Sequence, residues 1–233
     1  MGSVVTMPVQ RPRIIELIGP AGAGKSEVAA CLARVPDVLC TSMWFVPRTE
    51  LAWAAVCTIP SALALVRRAR TPLYRELVHI ARLRALLNFL DREELSRYRL
   101  VVVDEGPIYT LSWLRVIGHP MFADSRTGSW RRYIAALWAA ELDEIVQLDA
   151  PDAVLGQRLR TRAKRHALAD ASHTAITAFG MRYRSAFGAA INDVQRHGRV
   201  GLRDFRTDHF SAAEIADQIA GIKTAPEREL ALG

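Results

Sequence analysis

The chain has 233 residues, half of them apolar and 24% charged, enough to bury one sizeable core and more consistent with one domain carrying insertions than with two. Its 31 basic side chains against 24 acidic ones leave a formal charge of +7, which suits an anionic ligand. The aromatic residues, 7% and scattered, argue against a stacking platform for nucleic acid.

In chain order, RIIELIG is a β-branched run stopped by glycine, predicted as a buried parallel strand. KSEVAACLARV has apolar positions at helical spacing and ends before Pro36, and DVLCTS is a candidate second strand. Residues 50–69 and 72–98 read as helices, with Pro72 at a first helical position and Leu73, Leu77, Ile80, Leu87 and Leu90 marking a core stripe. Within the first of them, 51–66 is uncharged and ends at Arg67 and Arg68; it is too short to span a bilayer and contains Pro60. A buried helix pair is the favoured reading of it, and contact with a membrane surface through 51–68 is the rival.

RLVVVDEGP is the clearest strand, four apolar residues ending in two acids; 118–128 is a loop by composition. SWRRYIAALWAAEL is a helix with Ser129 as its candidate N-cap. DEIVQLDAP is another buried strand, and a helix opens at Pro151. Residues 174–196 form a further helix, RVGLRDFRTD a last strand and SAAEIADQIAGI a closing helix. Strand and helix alternate throughout, which implies an α/β fold whose parallel sheet is covered on both faces. Three cysteines (Cys31, Cys40 and Cys57) lack metal-ligand spacing and cannot form a full disulfide framework; Cys31 and Cys57 sit in apolar runs and read as buried. A reducing, cytoplasmic compartment is the resulting expectation, and residues 1–13 lack the apolar stretch of a signal peptide.

The chemistry concentrates in three places. Gly19, Gly24, Lys25 and Ser26 match G-x-x-x-x-G-K-[ST], with a strand before and a helix after. The nucleotide-binding stretch is Gly19, Pro20, Ala21, Gly22, Ala23, Gly24, Lys25, Ser26 and Glu27, whose backbone N–H groups (the proline lacks one) surround phosphate oxygens. Lys25 would then reach the β- and γ-phosphates of a nucleoside triphosphate, and Ser26 would hold Mg²⁺. Asp104 ends a buried strand, where α/β sheets bind ligands, and is a candidate for the Mg²⁺ shell or for the base on an acceptor hydroxyl. Glu105 is the alternative for either role; capping of the next helix is the bland explanation for both acids. The third place is QRLRTRAKRH, where Arg158, Arg162 and Arg165 fall near one helical face. Cations packed so closely repel unless an anion neutralises them, and a transferring phosphoryl group is such an anion; a solvated basic face is the alternative.

On GPAGAGKS, VVVDEGP and LDAPDAVLGQRLRTRAKRH the chain resembles the P-loop nucleoside and nucleotide kinases, closest to the thymidylate kinase-like and deoxynucleoside kinase-like branch. That resemblance covers most of 13–222 and implies a P-loop NTPase fold, three-layered α/β/α with a five-stranded parallel sheet and a helical arginine-bearing lid. Length and composition suggest one domain over 1–223, and 224–233, which has no clear pattern, reads as a flexible tail; the resemblance places the lid at 158–175 and a helical acceptor-side insertion at 50–98. It also implies transfer of a phosphoryl group from ATP, with Mg²⁺, to a small-molecule hydroxyl or phosphate. Arg162 and Arg165 would be lid residues on that group with Arg158 in support, and Arg203 and Phe205 would lie near the adenine. Trp44, Phe45, Arg48 and Glu50 stand where the family reads its acceptor. The chain departs from the family in having Asp-Glu where thymidylate kinases carry Asp-Arg, and in reading TSMWFVPRTE after its second strand. An ATPase that couples hydrolysis to motion is the rival, since an apolar strand ending Asp-Glu also describes motor enzymes; a homodimer is left open.

Overall fold

Alternation within RIIELI sends Ile14, Glu16 and Ile18 to one side of a strand and Ile15 and Leu17 to the other, and in the computed structural model all five are buried. The structure describes residues 11–124, 127–161 and 171–222. In chain order these form β1 (Arg13–Ile18), α1 (Lys25–Leu32), β2 (Val38–Ser42), α2 (Arg48–Ala69), α3 (Tyr74–Leu90), β3 (Leu100–Asp104) and α4 (Pro107–Val116). They continue through α5 (Gly128–Ala139), β4 (Glu144–Asp149), α6 (Asp152–Thr161), α7 (His173–Gln195), β5 (Gly201–Arg206) and α8 (Ala212–Ala220).

The five strands form one parallel sheet in the order β2-β3-β1-β4-β5. The chain therefore leaves β1 for the far strand β2, returns through β3, then crosses to the other half of the sheet. That reversal puts the carboxyl ends of β1 and β3 side by side, and a ligand crevice forms where the direction of winding changes. One face of the sheet, with Ile14, Ile18, Val101, Val103 and Ile145, packs on α3, α4, α5 and α7 through Leu86, Ile108, Trp138 and Phe187. The other, with Ile15, Leu17, Val102, Val146 and Leu148, packs on α1, α6 and α8 through Val28, Leu155 and Ile215.

Several local expectations change. The helix α5 opens one residue before Ser129, because Thr127 precedes it; the Thr127 hydroxyl donates to the Met121 carbonyl at 3.2 Å rather than capping. Pro72 lies ahead of α3, whose N-cap is Leu73, and the 72–98 segment is split, a separate 3-10 turn occupying Glu93–Arg97. In the core stripe Leu77 is only partly buried, while Leu83 and Leu86 are buried. The larger correction concerns 51–66. It pairs with α3, but only Ala54, Thr58 and Leu65 of α2 are buried, and Cys57 is exposed rather than buried. No third layer covers its outer face among the described residues.

Candidate functional site

The loop between β1 and α1 is shaped by close contact as well as by glycine's freedom. Gly19, Gly22 and Gly24 all have positive φ, and a Cβ on Gly19 would lie 2.2 Å from the Leu148 carbonyl oxygen of β4. The loop thus presses against the neighbouring strand and no other residue fits at Gly19. Between the other two glycines, Ala23 is fully buried and belongs to the core beneath α1, which anchors the loop from within. Lys25 begins α1, and its ammonium donates to the Gly19 carbonyl at 2.7 Å and to that of Pro20 at 3.3 Å, across the loop. Ser26 and Glu27 follow in the first turn, where the Glu27 N–H closes on the Gly24 carbonyl at 3.0 Å.

Across from this loop, β3 ends at Asp104, and Glu105 takes a left-handed backbone, φ 60°. A non-glycine residue held there is strained by an order of ~1 kcal/mol, and the surroundings must hold it. Two contacts do so. The Trp44 indole N–H donates to the Glu105 carboxylate. Behind the turn, the fully buried Glu16 accepts the backbone N–H groups of Ile108 and Tyr109, each at 2.9 Å, fixing the start of α4. A Cβ on Gly106 would come within 2.9 Å of the Glu16 carboxyl carbon, so this position has room only for glycine. Burial pushes the Glu16 carboxyl up to about 8; its N–H bonds to α4 oppose the shift and Asp104 adds to it.

The two halves face each other across a cleft of about 490 Å³. The phosphate-loop side supplies Gly19, Ala21, Gly22, Ala23, Gly24, Lys25, Ser26 and Glu27 to its lining, but not Pro20. The remaining walls are Asp104, Glu105, Tyr109, Arg158, Thr161, Phe179 and Tyr183. Tyr109 and Tyr183 come from α4 and α7. Burial, with Glu105 nearby, raises both phenols, Tyr183 to about 12, so both stay O–H donors at neutral pH. Arg158 reaches in from α6 and is well anchored: its guanidinium donates to the Thr207 hydroxyl at 2.8 Å, the Thr207 carbonyl at 2.7 Å and the Gly22 carbonyl at 3.4 Å. The helix that carries it is itself clamped. Arg184 of α7 binds both oxygens of Asp149 at 2.7 and 3.0 Å and Asp152 at 2.8 Å, a bidentate geometry that fixes α6 to the end of β4.

The structure therefore brings together Lys25, Ser26, Glu27, Gly19 and Ala21 to Gly24 of the loop, Asp104, Glu105 and Arg158. Arg162 and Arg165, with the rest of 162–170, lie outside the described residues. Arg203 and Phe205 do not line the cleft. Arg203 is ion-paired with Glu144 on the next strand, and Phe205 is buried in the core beside α8. Of the four acceptor-side candidates only Trp44 reaches the site. Glu50 is occupied by Arg92, Arg48 is exposed at the start of α2, and the Phe45 side chain is 81% exposed. Trp44 in turn belongs to a stack that pattern reading missed: Arg82 lies 4.5 Å over its ring, His79 meets its edge, and Trp113 stacks on His79 at 3.9 Å. Glu16, Tyr109, Tyr183 and Arg184 were also missed, Glu16 because one acid in an apolar run reads as an ordinary strand residue.

No protein-family model matches the chain, and no curated protein matches it. Solved structures do. The YorR protein from Bacillus subtilis, crystallised in complex with phosphorylated GDP, aligns over 89% of this chain and 94% of its own at 20% identity, with a TM-score of 0.53. Shikimate kinase from Acinetobacter baumannii, in complex with shikimate, aligns over 90% and 91% at 17% identity with a TM-score of 0.42. Shikimate kinase from Bacteroides thetaiotaomicron aligns over 90% and 99% at 16% identity with a TM-score of 0.46. The fold assignment rests on the first likeness and on the strand order: the chain has the P-loop NTPase fold, a three-layer α/β/α arrangement around a five-stranded parallel sheet.

Proposed function

We propose that the protein is a phosphotransferase that moves the γ-phosphate of ATP to a small-molecule hydroxyl or phosphate. The observation that carries this reading is one cleft in which Lys25 and Ser26 face Asp104 and Glu105, with Arg158 on a third side. The donor set fits a nucleotide with Mg²⁺. Among the described residues no cluster of three His, Cys, Asp or Glu side chains could hold a metal alone. A serine hydroxyl and one carboxylate match how Mg²⁺ binds, through few protein oxygens and the phosphates themselves. Bound there, the ion would neutralise charge on the phosphate oxygens.

The protein's own share is positioning and charge. The loop N–H groups and the positive end of α1 hold the phosphate chain, and Lys25 supplies a preorganised cation toward the β- and γ-phosphates. Asp104, at the strand end, either orients the metal's oxygen shell or accepts the acceptor's proton. Arg158 adds positive charge on the α6 side, and its bonds to Thr207 and Gly22 keep it in place without reorganisation. Glu105, held by Trp44, marks the acceptor side, and Tyr109 and Tyr183 present hydroxyl donors there. The nucleoside and nucleotide kinase branch remains the finer reading of the acceptor, supported by the motif order alone.

The test is a screen of nucleosides, nucleotides, sugars and lipid-linked alcohols with γ-labelled ATP, following labelled product rather than ADP. Transfer to one class, abolished in Lys25→Ala, supports the reading. Transfer to none, with hydrolysis stimulated by a partner and dependent on Glu105, replaces it with a mechanical ATPase.

A further inference from the structure

The outer face of α2 is the least ordinary surface of the molecule. Trp53, Val56, Ile59 and Leu63 are 63%, 57%, 51% and 54% exposed and recur at the spacing of one helical face. From 51 to 66 there is no charged residue, and Arg67, Arg68 and Arg70 follow at once. By length and composition α2 could cross a membrane, yet its inner face is committed to the fold: Ala54, Thr58 and Leu65 pack against α3 and its neighbours. Pro60 also lacks the N–H that would satisfy the Val56 carbonyl, which a lipid interior would penalise and an interface with water tolerates.

We propose that α2 docks the protein onto an anionic lipid surface, lying in the plane of the interface with its apolar face inward. Charge decides between this occupant and a second copy of the chain. From 48 to 70 there are four arginines (Arg48, Arg67, Arg68 and Arg70) and one acid, Glu50. Glu50 is held by Arg92, and Glu76 accepts the backbone N–H of His119. A twofold pairing of α2 helices in parallel would set arginine against arginine. An antiparallel pairing would set Arg67 and Arg70 against Arg48 and an acid already occupied. Anionic headgroups supply the negative charge this face lacks, and the apolar side chains supply buried area beside it. Trp53 is the type of residue that settles at a membrane–water boundary.

The test uses the full chain with vesicles of phosphatidylcholine, with and without phosphatidylglycerol, scored by co-sedimentation. The chain is expected to sediment with the phosphatidylglycerol vesicles and to be released by high salt. Arg67→Glu with Arg70→Glu should weaken binding by more than about 25-fold, taking roughly fivefold per lost cation. Val56→Glu with Ile59→Glu should abolish it. These positions are exposed, so far-UV circular dichroism should be unchanged. Absence of vesicle binding, or binding indifferent to both pairs, overturns the proposal. So does a dimer in sedimentation equilibrium that Ile59→Glu dissociates without any vesicle binding, since a second copy would then cover the face. Phosphotransfer is measured separately, so failure here leaves the proposed reaction standing.

Discussion

The two sides of the cleft are built by different means. On the phosphate-loop side, the β1–α1 loop is pressed against Leu148, Lys25 is tied across the loop, and Arg158 is fixed by three bonds, all backed by the centre of the sheet. On the opposite side, around Glu105, the contacts come from a long excursion between β2 and β3 whose first helix is largely uncovered, and the link to the site is one indole bonded to a strained glutamate. Under the proposed phosphotransfer, the rigid side would hold the triphosphate and the looser wall would face the acceptor.

Five substitutions bear on this contrast, in descending size. Lys25→Ala should lower labelled-phosphate transfer by about 10³-fold while circular dichroism stays native, because a preorganised cation at the phosphate is lost. Near-normal transfer would dissolve the distinction between the two sides. Asp104→Asn should cost about 10²-fold, and Glu105→Gln less, on the order of tenfold; the reverse ranking would make Glu105 the chemical group and the left-handed turn its mount.

Glu16→Gln tests the buried brace between the sides. The folded chain keeps a proton up to about pH 8, whereas the unfolded carboxyl releases it near 4.5. The native protein therefore loses stability as pH rises through that interval. The amide cannot ionise and offers one acceptor oxygen to two N–H groups. Its thermal midpoint should be lower at pH 5, by the equivalent of about 1–3 kcal/mol, yet flatter between pH 5 and 8. A variant with the same pH slope as the parent would show that Glu16 does not titrate there. The smallest effect belongs to Trp44→Phe, which removes the bond to Glu105 and keeps the ring. It should raise the acceptor KM about fivefold, with ATP affinity unchanged. Equal loss for both substrates would mean that Trp44 serves the whole site.

The donor side was largely legible because its signals are local. Glycine spacing, a Lys-Ser pair and an acid ending a buried strand each occupy a few adjacent residues, and the strand–helix alternation placed them at one sheet edge. What could not be read depends on distant segments meeting. Glu16 finds its N–H partners 92 and 93 positions later, and Arg184 clamps acids 35 and 32 positions earlier. Analogy alone sets Arg203 and Phe205 near the nucleotide; an ion pair with Glu144 and the packing of α8 engage them instead. For 51–66, hydropathy records how apolar a helix is but not whether anything lies over it, so burial was the wrong inference from the right composition.

The excursion from 43 to 99 leaves the sheet after Ser42 and re-enters at Leu100, on strands that are direct neighbours in register, Ser42 beside Asp104. Its two ends are thus pinned by the ladder however long the path between them, and longer loops add closure entropy only slowly. The segment can therefore be lengthened, trimmed or recoated without displacing the phosphate-binding loop or Glu16 behind it.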